Sequence, residues 1–296
     1  MNAFVIIHFG SNKKYLEYEI YFAINLRDKT THDIIYMYSI NDTPSYFIDI
    51  MKKYVNKVIG YDDNGITYNT TQIQYRDFNV IRNCNYIFAY KLLEYDKICV
   101  IQSDLIIIKN IDKIFKYDCP AIVFYSYNKN LNISKNRKID ISNFNIFKPL
   151  KQKIISNTLI IDSPVNSGIL LFKPSIELYN KSLENIKVIS SIYHPVDEIL
   201  FIYTNMNNIY SLPFKYNMTW SEYFRITKLY NINLLKKIIC FHFSGKKFKQ
   251  IDYIKDNYLD KIKQIDINIY LYIKNLKIKY YDSNYEHINK LLLQSK

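Results

Sequence analysis

Short apolar runs alternate with amphipathic stretches along most of the chain, and this alternation limits the fold more than any other feature of the sequence. The apolar runs predict buried β-strands at residues 3–9, 33–39, 97–102, 121–125 and 168–172. The amphipathic stretches predict helices at residues 15–27, 44–54 and 83–94. Strands that alternate with helices form a mainly parallel sheet with right-handed crossovers. The sequence therefore predicts an α/β fold in which ligands bind beyond the carboxyl ends of the strands.

Two segments do not follow this alternation. Residues 128–153 are polar, rich in Asn and Lys and weakly patterned, and a stretch of this kind predicts a mobile functional lid or a disordered insertion. From residue 251 to the end the pattern is helical and basic. We therefore expect one α/β domain over residues 1–250 and a basic helical extension over residues 251–296.

The formal net charge is +13, and the lysines that dominate it are scattered along the chain. Such a surface favours anionic partners such as nucleotides, phosphates, nucleic acid and anionic membrane. Asn, Ile, Lys and Tyr are all abundant and have A/T-rich codons, so the genome of an AT-rich microbe or a large virus explains the same excess of lysine. The charge alone leaves both explanations open.

Cysteine is sparse, with Cys84, Cys99, Cys119 and Cys240 and no CxxC pair. This pattern indicates neither a zinc site nor a disulfide framework, and reduced thiols in a cytosolic protein explain it. The apolar run at the start has no basic region before it and is too short for a signal peptide. No segment approaches the roughly 18 apolar residues of a membrane span. We therefore expect a cytoplasmic protein.

The sequence Gln102-Ser103-Asp104 follows a predicted strand directly. A carboxylate at a strand end beside a cleft is suited to hold a divalent metal against a diphosphate. An aspartate in this position also serves commonly as a turn or helix-capping residue, so the segment alone does not decide between the two.

Three further segments carry polar side chains beside apolar runs. A predicted tight turn, Asn166-Ser167-Gly168, precedes a buried strand, and Asp197-Glu198 opens an apolar helix, where acids also complement the helix macrodipole. His242 is followed by Gly245, Lys246 and Lys247. A neutral imidazole can bind a metal and lysines can neutralise phosphates, whereas a lone histidine is more often structural.

In this order the motifs resemble glycosyltransferase family 8, the family of glycogenin and the bacterial lipopolysaccharide galactosyltransferases. The resemblance runs from residue 3 to about residue 249. Five segments carry it: Gln102-Ser103-Asp104 continued by Asn110-Ile111-Asp112 and Ile114-Phe115, then Asn166-Ser167-Gly168, Asp197-Glu198, Leu212-Pro213 with Tyr216-Asn217, and His242-Phe243 with Gly245. Each segment is weak evidence alone, and their common order makes the resemblance specific.

The resemblance implies a GT-A fold and retaining transfer of a hexose from a UDP-sugar, UDP-glucose or UDP-galactose, to a glycan or protein hydroxyl. It implies Mn²⁺ or Mg²⁺ held by Gln102, Asp104 and His242. Its catalytic residues are Asp197, which holds sugar hydroxyls, and Glu198, which lies beneath the anomeric carbon. The residues that it assigns to donor binding are His8, Phe9 and Gly10 around the uridine, Tyr15 stacked on uracil, Asn166 on the sugar, and Arg82, Ser103, Ser167, Gly245, Lys246 and Lys247.

The chain departs from the family pattern at three positions. Gln102 replaces an acid and removes one negative charge from the metal site. Tyr86 stands where a basic residue is expected, although Arg82, four residues earlier on the same helical face, could reach the same phosphates. Phe248 stands where a lysine is expected. The alternative to an active enzyme is therefore a catalytically weakened homologue that binds UDP-sugars.

Two other classes of protein fit less well. A nucleic-acid-binding protein would need a basic face interleaved with exposed aromatic residues, and we expect no specific nucleic acid partner. A nucleotidyltransferase would need a Gly-rich phosphate loop after the first strand, which His8-Phe9-Gly10-Ser11 does not supply. Weak contact of the basic C-terminus with anionic membrane, and a homodimer, remain open expectations.

Overall fold

The structure is a computed structural model. It describes residues 1–64, 66, 78–124, 136, 138–139, 154–155, 158–160, 165–189, 193–194, 196–219 and 237–242. Most of the predicted lid at 128–153, the whole predicted extension at 251–296, and Gly245, Lys246 and Lys247 lie outside the described residues.

The helices and strands alternate through the first part of the chain as the sequence predicts. The strands are β1 Asn2–His8, β2 Asp33–Ser39, β3 Lys57–Tyr61, β4 Lys97–Ile101, β5 Leu105–Ile107, β6 Ala121–Phe124, β7 Ile154–Ile155, β8 Thr158–Ile160, β9 Val165–Phe172, β10 Tyr193–His194, β11 Tyr210–Leu212, β12 Met218–Thr219 and β13 Cys240–His242. The α-helices are α1 Lys13–Arg27, α2 Ser45–Met51, α3 Ile176–Ile189 and α4 Val196–Thr204. Helical segments of 3₁₀ type span Phe78–Lys91, Asp112–Lys116 and Phe214–Tyr216.

A seven-stranded sheet in the order β11-β6-β9-β4-β1-β2-β3 forms the centre of the molecule. Its strands are parallel to one another except β9, which is antiparallel to both β4 and β6. Successive side chains of β1 enter opposite cores: Phe4 packs in one hydrophobic cluster and Val5 in the other. Both faces of the sheet are therefore covered, as is usual for parallel sheets, and the predicted α/β fold is confirmed.

The start of β9 differs from the prediction. The sequence predicts a tight Asn-Ser-Gly turn followed by a strand at 168–172, whereas the strand begins at Val165 and contains all three residues. Ile122 of β6 pairs with Leu170, but the next residue, Val123, pairs with Asn166, so the register of the two strands shifts here. A register shift of this kind turns side chains away from regular alternation. The sequence-based prediction differs from the structure because the start of β9 is set by its pairing with β6, which the local sequence pattern does not contain.

A second sheet, in the order β12-β13-β5, lies where the chain leaves β4. Strand β13 is antiparallel to β5, and its last residue, His242, pairs with Leu105. This pairing brings a late segment of the chain to the residue that follows Asp104. None of the helices in the part of the chain that the structure describes has the length and apolar character needed to cross a membrane.

Candidate active site

The candidate site lies at the carboxyl ends of the parallel strands. Because β9 runs against its neighbours, its first residues lie at this same edge, where the Gln102 N–H donates to the Gly168 carbonyl at 3.0 Å. The Asn166-Ser167-Gly168 segment is thus held beside Gln102-Ser103-Asp104, which follows β4. The ends of β13 and the start of α4 complete the site, so four segments that are distant in sequence converge.

Asp104 and His242 face each other in this site. The Nε2 atom of His242 lies 3.2 Å from Oδ1 of Asp104, and the two side chains are only 2% and 7% exposed, respectively. Neither ring nitrogen of His242 has a hydrogen-bond partner among the described residues. A buried imidazole normally satisfies its nitrogens, so a ring that meets a carboxylate without a hydrogen bond has the environment of a metal ligand.

Gly168 makes this position of His242 possible. A Cβ atom on Gly168 would lie 2.6 Å from Nδ1 of His242 and 2.9 Å from Oδ1 of Asn166, distances that real side chains do not adopt. The imidazole therefore occupies the space of the missing side chain. The glycine of the Asn-Ser-Gly segment is required by close packing, which is a more specific reason than a turn.

Ser167 connects the two acids of α4 to this site. Its hydroxyl donates to Oδ2 of Asp197 at 2.5 Å, and its backbone N–H donates to Oε1 of Glu198 at 3.3 Å. Asp197 and Glu198 lie in the first turn of α4, where the macrodipole favours acids. Both are buried and bonded to β9, so they are fixed parts of the site as well as helix-start acids.

Gln102 lies on the other side of Ser167. Its Nε2 donates to the Ser167 hydroxyl oxygen at 3.3 Å. Among the described residues, no three His, Cys, Asp or Glu side chains come together as a metal-binding group. The fit to a divalent metal therefore rests on one carboxylate and one imidazole, Asp104 and His242, and a neutral amide stands where the family pattern has a second acid.

Asn217 holds Asn166 in place, a function that the sequence-based predictions did not assign to it. Its Nδ2 donates to the carbonyl oxygen of Asn166 at 3.1 Å and to Oδ1 of Asn166 at 2.8 Å. Oδ1 of Asn166 also accepts from the N–H of Gly168 at 2.9 Å. The sequence contains a sign of this residue in the segment Leu212-Pro213 with Tyr216-Asn217, which carries the resemblance but does not indicate what Asn217 contacts.

The end of β1 contains a buried histidine. Nδ1 of His8 lies 2.9 Å from Oε1 of Glu19, and Nε2 lies 3.0 Å from the carbonyl oxygen of Gly10. Glu19 also accepts from the hydroxyl of Tyr36 at 2.9 Å. Burial alone would lower the pKa of His8, but the charge and hydrogen bond of Glu19, the Gly10 carbonyl and the charge of Asp42 outweigh it and hold that pKa above its ordinary value. His8 therefore lies beneath Gly10 and fixes the loop that follows β1.

Phe9, Gly10, Tyr15 and Ser103, four of the predicted donor-binding residues, are partly exposed at or near the strand ends. Gly10 has a φ of 88°, a conformation that glycine adopts without strain. Tyr15 lies in the first turn of α1, after the same loop. These positions are compatible with contacts to a ligand above β1.

Arg82 is bound to two carboxylates. Its guanidinium bonds to both oxygens of Asp42 and to Oδ2 of Asp63, the last at 2.6 Å, and it lies 4.8 Å from the ring centre of Phe9. Burial would raise the pKa values of both carboxyls, but their hydrogen bonds, including those from Arg82, hold them below the ordinary value. Asp42 also accepts from the N–H of Gly10 at 3.0 Å. The charge of Arg82 is thus neutralised within the protein.

Comparison with known proteins places this geometry in a known fold. No family model matches the sequence. The chain is 25% identical over 249 residues to the uncharacterized protein R707 of Acanthamoeba polyphaga mimivirus, covering 82% of this chain and 80% of that protein.

Solved glycosyltransferases have a similar structure. GlyE of Streptococcus pneumoniae TIGR4 matches with a TM-score of 0.53 and 14% identity, over 83% of this chain and 55% of GlyE. The galactosyltransferase LgtC, solved with donor and acceptor sugar analogues, matches with a TM-score of 0.52 and 10% identity, over 82% of this chain and 87% of LgtC. The bifunctional glycosyltransferase WbbM matches with a TM-score of 0.52 and 13% identity, over 90% of this chain and 51% of WbbM. The chain thus spans about half the length of GlyE and WbbM and most of LgtC, and it has the GT-A fold of these solved glycosyltransferases.

Proposed function

We propose that the chain is a retaining, metal-dependent glycosyltransferase that moves a hexose from UDP-glucose or UDP-galactose to a glycan or protein hydroxyl. The observation that carries the proposal is the buried contact of Asp104 with His242, whose ring nitrogens have no hydrogen-bond partner among the described residues. Gly168 packs against His242, and the preceding residue, Ser167, bonds to both Asp197 and Glu198. The fold of the solved glycosyltransferases supports the same conclusion.

Asp104 and His242 would hold Mn²⁺ or Mg²⁺, with the amide oxygen of Gln102 as a third candidate ligand. The metal, when bound, neutralises the diphosphate that leaves. Phe9, Gly10 and Tyr15 would contact the uridine, and Ser103 and Asn166 the donor. Gly245, Lys246 and Lys247, outside the described residues, are proposed to add positive charge at the diphosphate.

The bond between C1 of the sugar and the diphosphate oxygen breaks, and its electron pair leaves with UDP. The acceptor oxygen forms the new bond on the face that UDP left, and its proton passes to an oxygen of the departing diphosphate. Asp197 would hold sugar hydroxyls, while the Glu198 carboxylate stabilises the positive charge that develops at C1. A short-lived covalent adduct on Glu198 is the second route to the same stereochemistry.

Replacing His242 by alanine should remove the metal-dependent part of UDP binding. In the unaltered protein we expect Mn²⁺ to tighten UDP binding by about tenfold or more, as is usual for coupled ligands. Calorimetry of UDP with Mn²⁺ and with EDTA measures this difference. His32→Ala is the matched control, because His32 packs on Phe115 just before β2, at the opposite edge of the sheet. Equal UDP affinity with Mn²⁺ and EDTA in the unaltered protein would refute the metal assignment.

Replacing Glu198 by glutamine should slow turnover by about tenfold or more while leaving UDP affinity unchanged, because an amide stabilises positive charge less well than a carboxylate. Proton NMR of the first product from an α-linked UDP-sugar should show an α-linkage. Glu184→Gln on the exposed face of α3 is the control. A β-linked product would overturn the retaining mechanism, and unchanged turnover of Glu198→Gln would leave Asp197 and the metal to carry the chemistry.

The second candidate function is binding of a UDP-sugar with little or no catalysis. Gln102 and the absence of a three-residue acid, histidine or cysteine group among the described residues favour it. Metal-dependent hydrolysis of the donor separates the two functions, because a pure binding protein would bind UDP with metal and release none from a UDP-sugar.

A further inference from the structure

Gln102 occupies the position where the family pattern has an acid. In this structure it is the first donor in a chain of two hydrogen bonds that ends on Asp197. Its Nε2 donates to the Ser167 hydroxyl oxygen, and the Ser167 hydroxyl donates to Oδ2 of Asp197. We infer that Gln102 is a positioning residue that orients Asp197 through Ser167, an inference that rests on the proposed function. The amide serves this site because it can donate a hydrogen bond, which an ionised acid cannot.

The Ser167 hydroxyl has a single proton, and this limits which neighbours can bond to it. That proton is committed to Asp197 at 2.5 Å, so the serine oxygen can receive only a donor from its other side. The amide nitrogen of Gln102 is such a donor, at 3.3 Å. An ionised carboxylate has acceptors alone. A carboxylate at this position would compete with Asp197 for the same proton.

The backbone holds this arrangement in place. Gln102 is tied to β9 through the bond from its N–H to the Gly168 carbonyl, and Ser167 is tied to α4 through the bond from its N–H to Glu198. Ser167 and Asp197 are 6% and 4% exposed, so water can do little to compensate a mismatch. The direction of the hydrogen bonds therefore decides where the Asp197 carboxylate points.

Gln102→Glu tests the inference, because glutamate has the shape of glutamine but replaces the amide donor by an acceptor and adds one negative charge near Asp104. We expect kcat for Mn²⁺-dependent UDP release from UDP-glucose or UDP-galactose to fall about tenfold, through loss of one charge-assisted hydrogen bond, with KM changed less than about threefold. The same substitution in a Ser167→Ala background should have no further effect on kcat, since the contested proton is gone. Turnover of Gln102→Glu equal to or above that of the unaltered protein would show that Gln102 acts on the metal alone and would overturn the inference.

A second measurement needs no activity. Two carboxylates that face the single proton of Ser167 leave one of them without that donor in a buried site, which costs stability. In EDTA at neutral pH, we expect Gln102→Glu to unfold about 3 °C below the unaltered protein. In a Ser167→Ala background the same substitution should cost clearly less, because no proton is then contested.

The stability measurement also separates the two ideas. If the unaltered protein releases UDP from no donor, the proposed function fails, while a loss of stability that depends on Ser167 still supports the hydrogen-bond chain from Gln102 to Asp197. An equal loss of unfolding temperature with and without the Ser167 hydroxyl overturns the chain, whatever the activity.

Discussion

Replacing Gly168 by alanine should abolish metal-dependent UDP binding and slow turnover at least about 100-fold, the cost of displacing a catalytic group by about 1 Å. The new Cβ atom would lie 2.6 Å from Nδ1 and 2.7 Å from Cε1 of His242. Because His242 is buried, we expect its ring to relieve this contact by moving away from Asp104. Calorimetry of UDP with Mn²⁺ and donor hydrolysis measure the two losses.

Gly60→Ala is the matched control for this substitution. A Cβ atom on Gly60 would also come within 2.6 Å of another atom, but that atom is Cγ2 of Ile40, a side chain that is 56% exposed and can turn away. Gly60→Ala should therefore keep both UDP binding and turnover close to those of the unaltered protein. Retention of Mn²⁺-dependent UDP affinity by Gly168→Ala would contradict the proposed packing of the metal ligand.

Replacing Arg82 by alanine should lower the free energy of unfolding by about 3 kcal/mol, the usual cost of breaking a buried ion pair. The side chains of Arg82 and Asp63 are 8% and 7% exposed, so the variant leaves a buried carboxylate without its counter-ion. The loss should shrink in acid, because the carboxyls of Asp42 and Asp63 are stabilising above the ordinary pKa of aspartate and lose that contribution as the pH falls through their lowered values. Chemical denaturation at several pH values measures the effect.

Lys57→Ala is the control for Arg82→Ala, because Lys57 and Glu94 form an ion pair whose side chains are 47% and 45% exposed. An exposed pair contributes about 1 kcal/mol or less. Equal destabilisation by the two substitutions would mean that Arg82 is not a buried structural partner and would return it to the phosphate-binding role that the resemblance suggests. Arg82→Ala should also loosen the loop after β1, because Arg82 binds Asp42 and Asp42 accepts from the N–H of Gly10.

The parts of the fold that depend on local pattern are predictable from the sequence. Strands β1, β2 and β4 and helix α1 lie close to the predicted ranges, because burial on both faces of a parallel sheet produces continuous apolar runs. The antiparallel direction of β9 and its register shift are set by pairing with β4 and β6, which no local run encodes. This pairing is also what moves the Asn-Ser-Gly segment from a predicted turn into the strand.

In the site, too, the contacts between residues depend on strand pairing that the local sequence does not predict. Spacing alone gives no reason to place His242 beside Asp104; the resemblance implied a shared metal, and the β13–β5 pairing is the physical cause of their contact. The resemblance also suggested that Arg82 contacts phosphate, whereas Asp42 and Asp63, at the ends of two other strands, bind it in this structure. Ion pairs between strand ends depend on tertiary structure, and the sequence pattern around each residue does not contain them.

The measurement that tests the account most directly is release of UDP from UDP-glucose and UDP-galactose by the full chain, with Mn²⁺ and with EDTA. We expect release from at least one donor in Mn²⁺, none above background in EDTA, and loss of release in Asp104→Asn, which removes the charge that faces His242. Release that is equal in EDTA, or that persists in Asp104→Asn, would contradict metal-dependent transfer at this site. Absence of release from both donors would contradict the proposed enzyme.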